Sequence, residues 1–184
     1  MKQLCQWVTF CWVALMFLPV HADVVGGIDF PRTLASCKLR SVIDNEKSNP
    51  GLGVTLLYNA PLVKVSVFVY DHSQRNIPEG IDSSVIRNEF AEARNNVQQM
   101  YPDAQIMVRE GRFLVADIPI LHSAFQHTEM KPGLREAVFS HLYLTARKGN
   151  FIKVRATYLL NERPELGYRI QTQFIEELCH ILAK

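Results

Sequence analysis

Across residues 135–160 the chain carries two long apolar-rich runs, 137–147 and 151–160, on either side of Lys148-Gly149-Asn150. The pattern predicts a hairpin of two long strands. Successive side chains on a strand point to opposite faces, so the register decides which residues share a face. A three-residue loop sets Ala146 opposite Ile152, Leu144 opposite Val154, Leu142 opposite Ala156 and Ser140 opposite Tyr158. One face is then almost wholly apolar. The other pairs Arg147 with Phe151, Thr145 with Lys153, Tyr143 with Arg155, His141 with Thr157 and Phe139 with Leu159. A two-residue loop at Gly149-Asn150 would mix the faces by placing Leu144 opposite Arg155. The three-residue loop is therefore expected, with Asn150 in the left-handed conformation.

The same reading along the chain predicts a short strand at 38–43. A second hairpin follows at 53–58 and 62–70, turning through Asn59-Ala60-Pro61 with Val63, Val65, Val67 and Val69 on one face. Ser83 or Asp82 caps a helix whose apolar residues Ile86, Phe90, Ala93, Val97 and Met100 recur at spacings of three and four. Arg87, Glu89, Glu92 and Arg94 fall to its wet side, and Pro102 stops it. A strand is expected at 112–120, ended or edged by Pro119. Residues 122–133 carry no pattern and read as a long connection. Pro164 opens a last helix with Ile170, Phe174, Ile175, Leu178, Ile181 and Leu182 on its stripe and Cys179 at the margin. The fold class is thus α+β, an antiparallel sheet built largely from hairpins and packed with two amphipathic helices.

The order of elements resembles the PsbP-like α+β fold. The run Val67-Phe68-Val69-Tyr70-Asp71 followed by Ile77-Pro78-Glu79-Gly80 resembles uncharacterised exported bacterial proteins. The resemblance implies a fold and supplies no functional residue.

The amino terminus changes the picture. Lys2, the apolar run 7–20 and the small residues around Val20-His21-Ala22 read as a secretory signal, 1–22. An uncleaved anchor is the rival, but the run is shorter than the roughly 20 residues of a span. Residues 23–37, with Gly26-Gly27 and Pro31, read as an extended leader, and 38–184 as a single domain. The expected location is the periplasm, with secretion to the medium as the alternative, and no stable membrane span after cleavage. Export favours a disulfide between Cys37 and Cys179, the two cysteines that survive cleavage, over a metal or redox pair. Two separate buried thiols are the alternative.

Lys and Arg total 20 against 18 Asp and Glu, a net charge of +2, which argues against nucleic acid as a partner. Asp71, His72 and Ser73 have the residue types of a hydrolase triad, but neighbours on extended backbone cannot form the relay with one another. No nucleophile elbow, phosphate loop or zinc-protease motif occurs. Asp117, His122, His127 and Glu129 are metal-competent types at a spacing that matches no metal motif. No catalytic residue, metal or cofactor is assigned.

What remains is the mixed hairpin face. His141, Tyr143, Phe151, Lys153 and Arg155 combine aromatic and basic side chains as interface centres do. The leading expectation is a non-enzymatic exported module that binds another envelope protein through this face. The alternative is a carrier of a small apolar or anionic ligand between sheet and helices, with Arg155, Lys153 and Tyr143 on an acidic head group. A metal-dependent enzyme using the 122–129 loop stands third.

Overall fold

The computed structural model describes residues 23–184, so the expected signal segment 1–22 lies outside the described residues. The chain is an α+β fold. A small hairpin, β1 (Asp23–Val25) and β2 (Ile28–Phe30), leads into β3 (Thr33–Leu34), β4 (Cys37–Asp44), β5 (Val54–Asn59) and β6 (Val63–Tyr70). Helix α1 (Ser84–Met100) is followed by β7 (Gln105–Val115), β8 (Ile118–Lys131), β9 (Leu134–Arg147), β10 (Asn150–Leu159) and α2 (Pro164–Leu182). Eight strands form one antiparallel sheet in the order β3-β4-β5-β6-β10-β9-β8-β7. Strands adjacent in sequence are adjacent in the sheet, except where α1 and the β7–β9 meander intervene and β10 returns to pair with β6.

A helix covers each face. Under α2, Val63, Val65, Val67, Ile152, Val154 and Ala156 meet Phe174 and Leu178. Under α1, Tyr70, Leu121, Phe125, Leu142, Leu144, Ala146 and Phe151 meet Ile86, Phe90 and Val97. Ser83 caps α1, accepting from the Ile86 N–H at 3.3 Å, as its position before the apolar stripe implied.

The hairpin register differs from the expected one. β10 pairs with β9 as Phe151↔Ala146, Lys153↔Leu144, Val154↔Tyr143 and Arg155↔Leu142. The turn has two residues, Lys148 (φ 49°) and Gly149 (φ 71°), the double positive-φ turn that matches strand twist. Asn150 starts β10 and donates from its side chain to Lys148 O at 2.8 Å. Separating a wet from a dry face fails here because both faces are dry: Ser140 to Ala146 are buried without a break.

Three further expectations change. The leader is extended but integral, with Ile28, Phe30 and Leu34 in the core. The strand expected at 112–120 is a hairpin corner, where Ala116 (φ 48°) and Asp117 (φ 62°) turn β7 into β8. Pro119 precedes Leu121, where β9 begins to pair, so its missing N–H removes no bond on that side. The patternless segment 122–133 is mostly β8 itself. Its polar residues His122, Ser123 and His127 are buried, so no alternation marks it.

Cys37 and Cys179 are free buried thiols, and the expected bridge is not formed. Glu177 of α2 accepts from the Ala35 N–H at 2.5 Å and acts on Cys37, whereas Cys179 lies two residues on, about 200° around the helix. Its side chain joins Ile120, Tyr143 and Thr145, on the β8–β9 side. Burial pushes the Cys37 thiol up to about 11 and the Cys179 thiol up to about 12. Alkylation in denaturant without reductant is expected to label both Cys37 and Cys179; labelling of neither until reductant is added would restore the bridge.

The seat of α2 depends on Gly167, where an added Cβ would lie 2.7 Å from Cγ of Tyr158. The base of a ring cannot swing aside, so overpacking outweighs the helix preference of alanine. Gly167→Ala is expected to lose about 1–3 kcal/mol in urea denaturation.

Candidate functional site

The register sends the expected site residues to opposite sides of the sheet. On β9, His141 and Tyr143 face α2; on β10, Phe151, Lys153 and Arg155 face α1. Tyr143 is only 8% exposed and donates to Gln171 Oε1 of α2 at 2.8 Å. Phe151 packs on Tyr70, with ring centroids 5.4 Å apart, in the core under α1. The mixed basic and aromatic face therefore does not exist as one surface. Two groupings replace it.

Beneath α2, His122 Nε2 and His141 Nδ1 lie 2.9 Å apart, one donating to the other, and both rings are buried. Tyr143 and Tyr158 complete the surround, the Tyr158 hydroxyl lying 3.5 Å from His141 Nε2. Burial pushes His122 down to about 4; burial and then the neighbouring His122 push His141 down to about 3. His127, five residues from His122 on β8, points to the other face, so the two cannot share a metal. Among the described residues no three His, Cys, Asp or Glu side chains converge as metal ligands.

The second grouping is a cleft beside α1. The helix rests over β9, and along its flank Ala93, Asn96, Val97 and Met100 stand over a floor of Phe68, Leu142, Lys153 and Arg155. The cavity is about 240 Å³. Arg155 is fixed by neutral partners: its guanidinium lies 4.7 Å from the centroid of the Tyr101 ring. Its Nε donates to Ser140 Oγ at 3.0 Å and its Nη2 to His127 Nε2 at 3.2 Å. Because a guanidinium only donates, His127 accepts at Nε2 and carries its proton on Nδ1. Lys153 Nζ sits 5.1 Å from the Phe68 centroid and 4.8 Å from that of Tyr70. Burial holds its pKa below the usual lysine value, with Glu89 and Glu92 opposing.

Glu89 was expected on the wet side of α1. It is 8% exposed, accepts from the Tyr70 hydroxyl at 2.5 Å and meets His72 Nε2 at 3.1 Å. Its spacing was informative, since it stands three residues after Ile86 and four before Ala93, on the buried stripe. Asp71, His72 and Ser73 do not lie on the extended backbone expected of them: His72 (φ 52°) and Ser73 (φ 58°) form a turn, in which His72 turns to Glu89 and Asp71 Oδ1 accepts from the Ser73 N–H at 2.7 Å.

Two other hollows are more polar. One of about 220 Å³ between the β5–β6 turn and β10 holds the Lys64–Glu129 ion pair, 3.8 Å apart. Another, about 380 Å³, is lined by His72, Gln74, Asn88, Glu89 and Glu92. The cleft at Lys153 and Arg155 alone among these three joins apolar walls to two cations. The chain matches no protein-family model and no curated protein.

The histidine pair sets a pH dependence. In the unfolded chain both histidines take up protons below about pH 6.5, while in the fold they stay neutral to well below that. Their contribution is fully present above about pH 6.5 and is lost as pH falls towards their folded values. Denaturation at pH 7 and pH 5 is expected to show a loss of roughly 2 kcal/mol for each histidine. Equal stability at the two values would place the pair in a hydrated setting.

Proposed function

We propose that the chain is a non-enzymatic exported protein, periplasmic in the first place, that works by holding a small ligand in the cleft between α1 and the sheet. The observation that carries this reading is the cleft itself: the apolar flank of α1 stands beside the sheet over Phe68 and Leu142 and leaves about 240 Å³ between them. Ligand sites are concave, largely apolar and furnished with few polar groups. Export rests on the amino-terminal signal pattern. Among the described residues no helix is long and apolar enough to cross a membrane. Membership of a PsbP-like group belongs to the same proposal and is supported only by an antiparallel sheet with a helix on each face.

An envelope-protein partner is the second reading, moved away from the hairpin because His141, Tyr143 and Phe151 are buried. The feature favouring it is edge strand β7, which exposes Met107, Phe113 and Leu114.

Native mass spectrometry of protein purified from its own host is expected to show a small-molecule adduct. Asn96 is exposed on the cleft wall, so Asn96→Trp fills the cleft without entering the core. The variant is expected to lose the adduct while its stability stays within about 0.5 kcal/mol of the parent. An adduct that Asn96→Trp retains, or none in either protein, refutes the cleft; a co-purifying protein released by substitution at Phe113 and Leu114 would favour β7.

A further inference from the structure

Neither of the cleft's two cations has a carboxylate of the described residues in contact with it, although the charges of Glu89 and Glu92 reach Lys153. Among the described residues no carboxylate comes within ion-pair distance of Lys153 or Arg155, whereas nearby Arg94 pairs with Glu110 at 3.9 Å. Buried or half-buried charges are ordinarily matched. Arg155 has Nε and Nη2 committed to Ser140 and His127, and its Nη1 faces only the sulfur of Met100 at 3.8 Å, a weak acceptor. Lys153 Nζ makes no hydrogen bond among the described residues and rests on two aromatic rings. Two residues apart on one strand, the side chains leave a single face at a spacing of roughly 6.6 Å, so one oxyanion can lie between them. The remaining walls, Phe68, Val97, Met100 and Leu142, offer an apolar continuation from that point.

We infer that the ligand of the cleft is a small amphipathic oxyanion, its carboxylate or phosphate bridging Lys153 Nζ and Arg155 Nη1 and its short apolar part lying along the flank of α1. This rests on the cleft being the ligand site and adds the chemical class. Arg155 is pre-organised for such a group, since its stack on Tyr101 and its bonds to Ser140 and His127 fix the guanidinium plane before the anion arrives. A cavity of about 240 Å³ admits one short chain or ring and not both chains of a lipid, which favours a free molecule over a membrane surface as the source.

Calorimetric titration of the protein with octanoate, octyl phosphate, octanol and octylamine tests the inference. Octanoate or octyl phosphate is expected to bind, and octanol and octylamine to bind at least about tenfold more weakly, the value of one charge-assisted contact. Lys153→Met removes an ammonium that donates no hydrogen bond among the described residues, so it is expected to weaken the anion about tenfold and octanol by much less. Arg155→Lys keeps the charge and loses the fork, and is expected to weaken the anion as well, with the urea midpoint monitored to exclude loss of the Ser140 and His127 bonds as the cause. Octanol binding as tightly as octanoate, or octanoate binding undiminished in Lys153→Met, overturns the oxyanion while leaving the cleft as the site. Co-sedimentation with phosphatidylglycerol vesicles that Lys153→Met abolishes overturns the free-molecule source. If no probe binds but host-purified protein carries an adduct that Asn96→Trp loses, the class is wrong and the cleft stands; without such an adduct both fall.

Discussion

The turn at Lys148-Gly149 fixes the chemistry of the sheet's centre. Both residues have positive φ, which only a two-residue turn of this kind requires, and the turn is held from outside. Lys148 Nζ donates to Gly27 O at 2.8 Å, Arg147 Nε donates to Leu182 O at 2.8 Å, and Arg147 also pairs with Glu79. The amino-terminal hairpin, the end of α2 and the loop before α1 thus meet at one corner. A register one residue different would carry Arg155 and Lys153 under α2 beside Tyr143, where the core has no room for charge.

Given that register, the placement of the helices distinguishes the two faces. α2 seals its side so completely that even polar groups are internal: Tyr143 pairs with Gln171, and His122 with His141. α1 covers β8 and β9 but not the β5–β6 side, where Leu57, Ser66 and Phe68 are only half buried. The cleft arises at that boundary. Its basic residues come from β10, the strand that joins the meander to the first three long strands, so the candidate site sits at the centre of the sheet and not at an edge.

The strongly periodic segments were legible in the sequence. Ser83, the Ile86-Phe90-Ala93-Val97 stripe and Pro164 defined both helices, and Val63-Val65-Val67-Val69 defined β6, because each element shows one apolar face to one layer. What periodicity missed was buried on both faces or on neither. β8 hides His122, Ser123 and His127, while β7 exposes most of its length and exists through its pairing with β8. The candidate cleft was half legible: Lys153 and Arg155 were singled out, but the residues that line it with them are Phe68, Val97 and Met100, brought by β6 and α1 from far away in sequence. No short-range signal encodes that meeting.

Tyr70 explains how Lys153 stays available although Glu89 is close enough to act on it. The Tyr70 hydroxyl donates to Glu89 at 2.5 Å, and Lys153 Nζ stands 4.8 Å from the centroid of the same ring. The carboxylate is further engaged by His72 at 3.1 Å, so each of its oxygens already has a hydrogen-bond partner. Burial and the Glu89 charge push the Tyr70 hydroxyl up, so it remains a donor across the ordinary pH range. Attraction from Glu89 therefore offsets part of the cost of holding Lys153 half buried without closing an ion pair over it. A carboxylate in direct contact would neutralise the cleft; Glu89, engaged by Tyr70 and His72, instead acts on the lysine without contact and opposes the burial that lowers its pKa.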